Sequence, residues 1–211
     1  MAEIEPKNDL SQQRYIPFIS LREGVIFPDT EAILTFGRPA SITGVNTASA
    51  NNQEVCFVSQ KDAHVNASSL ADYYQIGTVC QIVKTLPVNE ELHAIVKGLF
   101  RVKIIQLEER DGLVWALVSD IPEDDNITSE ISALSNRTIS LVKKTSELSK
   151  TNIEPGVFSK IVNSTDPLFL SYQVAAILDI KNEEKQKLLE EDSLQNRLTF
   201  ITNHLTEEIK I

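Results

Sequence analysis

Few residues in this chain are able to do chemistry, and they are scattered. His64, His93 and His204 share no His-Glu-x-x-His or Cys/His spacing, so each reads as structural or solvated and no metal ligand set is expected. Cys56 and Cys80 lie inside the apolar runs Val55-Cys56-Phe57-Val58 and Val79-Cys80-Gln81-Ile82. Buried, reduced thiols are the stronger reading there, ahead of a disulfide or a reactive pair. The carboxylate runs Glu108-Glu109 and Glu123-Asp124-Asp125 fall at a turn and in a linker, where a solvated surface is favoured over an acid/base pair. The seven glycines are followed by Val25, Arg38, Val45, Thr78, Leu99, Leu113 and Val157, so no Gly-Lys pair exists for a Walker A loop. No two glycines stand two apart, which excludes a Gly-x-Gly fingerprint and a Gly-x-Ser-x-Gly elbow. No catalytic, cofactor-binding or metal-binding residue is therefore expected, and the chain reads as a binding or scaffolding module.

Charge narrows the partners. Among 211 residues, 20 basic and 30 acidic side chains give a net charge of −10, and residues 1–120 and 121–211 contribute −5 each. Neither part carries the local cationic excess that neutralising phosphates requires, so nucleic acid is not an expected partner. No apolar run is long enough to span a bilayer, and the polar, acidic first residues fit neither a signal nor a transit peptide. A cytoplasmic protein without a membrane partner is the resulting expectation.

The elements that must position any site divide the chain in two. Six glycines lie within the first 112 residues among β-branched and aromatic runs, and only Gly156 follows. Strands are expected at 15–21, 31–36, 54–60, 78–86, 92–100, 102–107 and 113–121, with a weak helix at 39–51. Alternation in 92–97 buries Leu92, Ala94 and Val96 and leaves His93 partly solvated. Asp111-Gly112 is a type I′ hairpin signal. Trp115 suits core or packing between the two parts better than a ligand platform. The second part reads as helices over 129–148, from Pro155, from Asp166-Pro167 to about 178, from Asn182 as cap to 190, and from Ser193 onward. The last carries Leu194, Leu198, Ile201, Leu205 and Ile209, a regular apolar stripe expected to self-associate, and still in phase at Ile211, as though the helix continued in a longer protein. The expected organisation is a flexible N-terminus at 1–13, a β subdomain at 14–121, an acidic linker at 122–128 and a helical subdomain at 129–211.

One stretch is more specific. Ile16-Pro17-Phe18-Ile19-Ser20-Leu21-Arg22-Glu23-Gly24-Val25-Ile26-Phe27-Pro28, followed by Phe36-Gly37-Arg38-Pro39-Ala40-Ser41-Ile42, closely resembles the opening of the N-terminal domain of Lon-type ATP-dependent proteases. The resemblance continues in order through Gln60-Lys61-Asp62, Ile76-Gly77-Thr78-Val79, Val96-Lys97-Gly98-Leu99-Phe100-Arg101, Asp166-Pro167 and Arg197-Leu198, and covers roughly residues 14 to 211. Ser20 departs from the family's second Pro, and Pro39-Ala40 from a commonly charged pair. The resemblance implies an α+β fold: a PUA-like, mostly antiparallel β-barrel with an inserted helix, then a helical bundle ending in a long helix. It implies a domain that engages unfolded or damaged polypeptides and helps to assemble a homohexamer. The ATP, Mg and Ser-Lys dyad of such an ATP-dependent serine endopeptidase would belong to AAA+ and protease modules elsewhere, with no activity in this chain. Candidate polypeptide contacts are Phe27, Pro28 and Phe36, rimmed by Arg38, against the competing reading that Phe27 and Phe36 are barrel core. A free-standing relative of the same fold, binding a protein partner or small ligand with no protease attached, is the alternative function.

Overall fold

The computed structural model describes residues 13–211. The expected flexible segment 1–13 lies outside them except for Gln13, which is already paired with Ser119. Six strands come first: β1 (Gln13–Leu21), β2 (Glu31–Phe36), β3 (Val55–Ser59), β4 (Ile76–Val88), β5 (Glu91–Arg110) and β6 (Leu113–Asp120), with α1 (Pro39–Ala50) between β2 and β3. Five helices follow: α2 (Ser129–Glu147), α3 (Pro155–Val162), α4 (Pro167–Ile177), α5 (Asn182–Glu190) and α6 (Leu194–Lys210). The chain is α+β, as expected.

Strand order is β2-β5-β4-β3-β1-β6, and a further β5–β6 pairing closes five strands into a ring with β2 outside it. All pairings are antiparallel except β1 with β3. The expected strands 92–100 and 102–107 are one continuous 20-residue β5. Arg101 lies between the two expected strands, where its charge interrupts the apolar pattern. It is fully buried, and the ladder runs through it with Arg101 opposite Thr78. The long strand serves two neighbours in turn: its first part pairs with β2 and its last part with β6. The hairpin into β6 turns on Asp111 and Gly112, at φ 51° and 79°, as a type I′ turn requires.

Two apolar clusters fill the β part. One joins Phe36, Phe57, Leu92 and Val96 to Val45 and Ala48 of α1, and the other lies around Phe18, Cys56, Val102 and Val118. Cys56 and Cys80 are free and buried, on adjacent strands but in different clusters. Trp115 is not core: neighbouring Ala116 points inward at 0% exposure, while Trp115 is half-buried on the outer face with the Arg110 guanidinium 5.8 Å from its ring.

The helices begin where the caps indicate. Asp166 accepts from the amides of Leu168 and Phe169, Ser193 from Asn196, and Glu154 from Gly156 and Val157. Asn182 is the exception. It is the first residue of α5 rather than its cap, and its Oδ1 accepts instead from the Gly24 amide at 2.8 Å, tying the loop after β1 to the helical part. No helix among the described residues is long and apolar enough to cross a membrane.

Candidate functional site

Three of the four expected polypeptide contacts have no surface to offer. Phe36 stacks on Phe57 at 6.0 Å in the β core, and Pro28 is buried. Phe27 is 0% exposed, but it belongs to neither β cluster: it projects from the loop after β1 into the helical core, 6.2 Å from the Tyr172 ring. The pattern Val25-Ile26-Phe27 shows that the residue is apolar, not which core receives it. Arg38 is the one of the four that is not buried, and it lines a groove that buried Phe36 borders. It donates to the Ser20 carbonyl at 3.1 Å and to Gln60 Oε1 at 3.4 Å, bridging from the end of β2 to β1.

The stripe expected to self-associate is likewise occupied within the chain. Leu194, Leu198, Ile201 and Leu205 are at most 3% exposed, packed on α2 and α4, and only Ile209 is half-buried. The partner that the spacing demanded is intramolecular, so these residues leave no apolar face for a second copy.

A polar hub joins the two parts. The Arg101 guanidinium, wholly buried, donates to Glu123 Oε1 at 2.9 Å, to Asp192 Oδ1 at 3.0 Å and to the Leu189 carbonyl at 2.9 Å. Tyr172 donates its hydroxyl proton to the same Glu123 at 2.6 Å, and Arg197 lies over the Tyr172 ring at 4.3 Å. Glu123, expected on a solvated acidic linker, is therefore an internal anchor, unlike its exposed neighbours Asp124 and Asp125. Burial opposes the charge of Arg101, but Tyr172, Glu123 and Asp192 outweigh it and hold the guanidinium pKa above its ordinary value.

Burial makes the fold sensitive to alkali. It pushes the Cys56 thiol from 9.0 up to about 12, raises Cys80 well above its ordinary value, and raises Tyr172 against the pull of Arg197 and Arg101. The folded state keeps protons that the unfolded chain has already lost, so these contributions are intact below pH 9 and disappear as pH rises through the folded values. Lys185, lowered by burial, works in the opposite sense. The urea midpoint should be level from pH 7 to 8.5 and fall steeply between 9 and 11. Cys56→Ala should flatten the first part of that fall, and an unchanged midpoint at pH 11 would show that the thiols are not protected in the folded state.

The surface feature that remains is an edge. Among the described residues β2 pairs only with β5. Gly98 N donates to Thr30 O at 2.9 Å and Glu31 stands opposite Lys97. Antiparallel alternation then turns the backbone polar groups of Ala32, Leu34 and Phe36 toward β5, and those of Glu31, Ile33 and Thr35 away from it. The outward groups have no backbone partner among the described residues. A groove of about 390 Å³ borders one end of this edge, between Ile33–Arg38 and the Ser20–Glu23 end of β1, and a second of about 400 Å³ borders the other, walled by Val157, Lys160, Ala176 and Ile177. Ile33 lines both and is 74% exposed. Next to it on the same outer face lies half-buried Ile95, opposite Lys84, and β4 adds exposed Leu86 opposite His93. The sequence concealed this patch because Ile33 shares its parity with Glu31 and Thr35, the side that alternation assigns to water.

The family model of the ATP-dependent protease La (LON) substrate-binding domain matches residues 15–207. The chain belongs to this family. Among similar proteins, the Lon protease of Heliobacterium modesticaldum is 28% identical over all of this chain and 26% of its own length, and that of Aquifex aeolicus is 32% identical over 92% of the chain and 25% of its length. The chain thus spans about a quarter of the length of the Lon proteases it matches. The N-terminal domain of a Mycobacterium avium complex Lon protease superposes with a TM-score of 0.75 at 17% identity, covering 92% of this chain and 99% of that one. A Lon N-terminal domain protein from Xanthomonas campestris gives 0.63 at 18% identity over 89% and 96%. The Lon likeness gives the ordered motifs a structural meaning: Gly37-Arg38 supplies the bridge to Ser20, Gln60 receives that arginine and anchors its own loop through Asp62 and Val65, and Gly98 underlies the turn carrying Phe27.

Proposed function

We infer that this chain is the polypeptide-engaging part of a Lon-type ATP-dependent serine protease. It holds unfolded or damaged proteins for AAA+ and Ser-Lys modules, in a cytoplasmic homohexamer whose ATP and Mg belong to the ATPase. The sequence offers no Gly-Lys pair or Gly-x-Gly spacing to cradle a phosphate. The observation that carries the reading is exposed Ile33, with Ile95 beside it and exposed Leu86 on the same outer face, at the edge of β2 that has no strand partner among the described residues. Apolar surface of this kind, shared by a backbone edge, suits chains that expose their own apolar residues and free amides, as unfolded proteins do and native ones do not.

Binding of one model protein in its native form and in a reduced, carboxymethylated, permanently unfolded form tests this. The unfolded form should bind at least about tenfold more tightly, a difference of about 1.4 kcal/mol. The double variant Ile33→Asp, Leu86→Asp should abolish that difference while keeping its unfolding temperature. Equal affinity for native and unfolded forms would overturn the reading.

A further inference from the structure

We propose that the edge of β2 captures substrate by strand addition: an extended polypeptide segment lies along Glu31, Ile33 and Thr35 as a further strand, with a carboxylate side chain seated between Arg22 and Arg38. This rests on the reading above and specifies how and where it happens.

The backbone chemistry comes first. Three consecutive outward positions present N–H and C=O groups in strand geometry, and Ala32, Leu34 and Phe36 fix the strand from below by packing into the core. A bare edge of this kind is a template for one more strand. Its setting restricts what can join it. The edge is bordered at one end by the Arg22 and Glu23 segment that follows β1 and at the other by α3 and α4. A strand of six residues offers room for one short extended segment between them.

Charge selects within that class. Arg22 donates to the Ala63 carbonyl at 3.0 Å and Arg38 to the Ser20 carbonyl at 3.1 Å, and neither forms an ion pair among the described residues. With Glu23 also in the lining, this groove carries a formal charge of +1 on a chain of −10. The opposite groove holds Glu31, Glu154 and Lys160, a formal charge of −1. A bound strand therefore meets a cationic end and an anionic end, and an acidic side chain belongs at the Arg38 end.

Three eight-residue peptides of alternating Val and Thr provide the probe: one with Glu near its N-terminus, one with Glu near its C-terminus, and one with Gln at both places. One of the two acidic peptides should bind about threefold to fivefold more tightly than the Gln peptide, and its polarity gives the strand direction. Arg22→Gln should remove that preference without touching the neutral peptide. Ile33→Pro takes away an outward donor but no β2–β5 hydrogen bond, and should weaken all three by about tenfold. N-methylation of alternate peptide amides should do the same with the protein unaltered, which keeps the test independent of whether the proline variant folds. If unfolded protein binds but Ile33→Pro and N-methylation leave affinity unchanged, strand addition is wrong and the broader function stands. If neither peptides nor unfolded protein bind, both fall. A dimer in sedimentation that Ile33→Pro dissolves would assign the edge to a second copy and overturn the proposal.

Discussion

Glu123→Ala will lower the stability of the fold by about 3 kcal/mol, near the lower end of what breaking a buried ion pair costs. The reason lies in what the change leaves behind. Arg101 stays at 0% exposure with its charge, keeping only the Leu189 carbonyl and Asp192, whose side chain is 78% exposed. The Tyr172 hydroxyl loses its acceptor at the same time. An isolated buried cation costs more than the pair contributes, so a double variant, Arg101→Met with Glu123→Ala, should be more stable than the sum of its single effects. Adding Tyr172→Phe removes the remaining unpaired hydroxyl and should recover about 1 kcal/mol more. Urea unfolding of the full cycle measures these quantities. Additivity of the two single changes to within about 0.5 kcal/mol would show that Arg101 and Glu123 do not act as a unit.

Gly98→Ala should cost about as much for a steric reason. A Cβ on Gly98 would come within 2.2 Å of the Phe27 carbonyl oxygen and 2.9 Å of its carbon, and these are backbone atoms that no rotamer change can move aside. The same turn is pinned on every side: Asp29 N donates to Gly98 O, Gly98 N to Thr30 O, and the Thr30 hydroxyl to Phe27 O. Relief requires withdrawing Phe27 from the helical core or opening the β5 ladder. A loss of about 3 kcal/mol corresponds to a fall of about 6 to 12 °C in Tm for a domain of this size. Gly37→Ala, where an added Cβ meets nothing within 4 Å, is the matched control and should change Tm by no more than about 2 °C. Equal effects at the two positions would remove close packing as the explanation.

Element type was legible wherever a local rule operates. Alternation marks β2 and the first part of β5, Asp111-Gly112 dictates its turn, and Asp166-Pro167 and Ser193 start their helices where caps belong. What stayed hidden depends on contacts between distant segments. Arg101 looked like a strand break because its acceptors, Glu123 and Asp192, lie 22 and 91 residues away. Glu123 looked like solvated linker for the same reason. Phe27 was visible as apolar, but its neighbour Tyr172 comes from the other part of the chain. The stripe on α6 shows the need for a partner but not which one: a second copy was expected, and the tertiary fold supplies α2 and α4. The candidate site was the least legible: Ile33 becomes exceptional only once the topology leaves β2 unpaired on one side.

The ring also sets a timetable. Its closing pairs join Gln13 to Ser119 and Val102 to Asp120, so β1 has no partner on that side until β6 has been made. Phe27 waits longer, because it joins Tyr172 in a helical core that is complete only with Ile201 and Leu205. During synthesis the chain therefore carries an open β1 and an unburied aromatic residue for most of its length, a state with the slow, long-range closure that favours chaperone attention. The domain must itself pass through a long unfinished stage, and pauses in translation before residue 205 should be the point at which it is most readily lost.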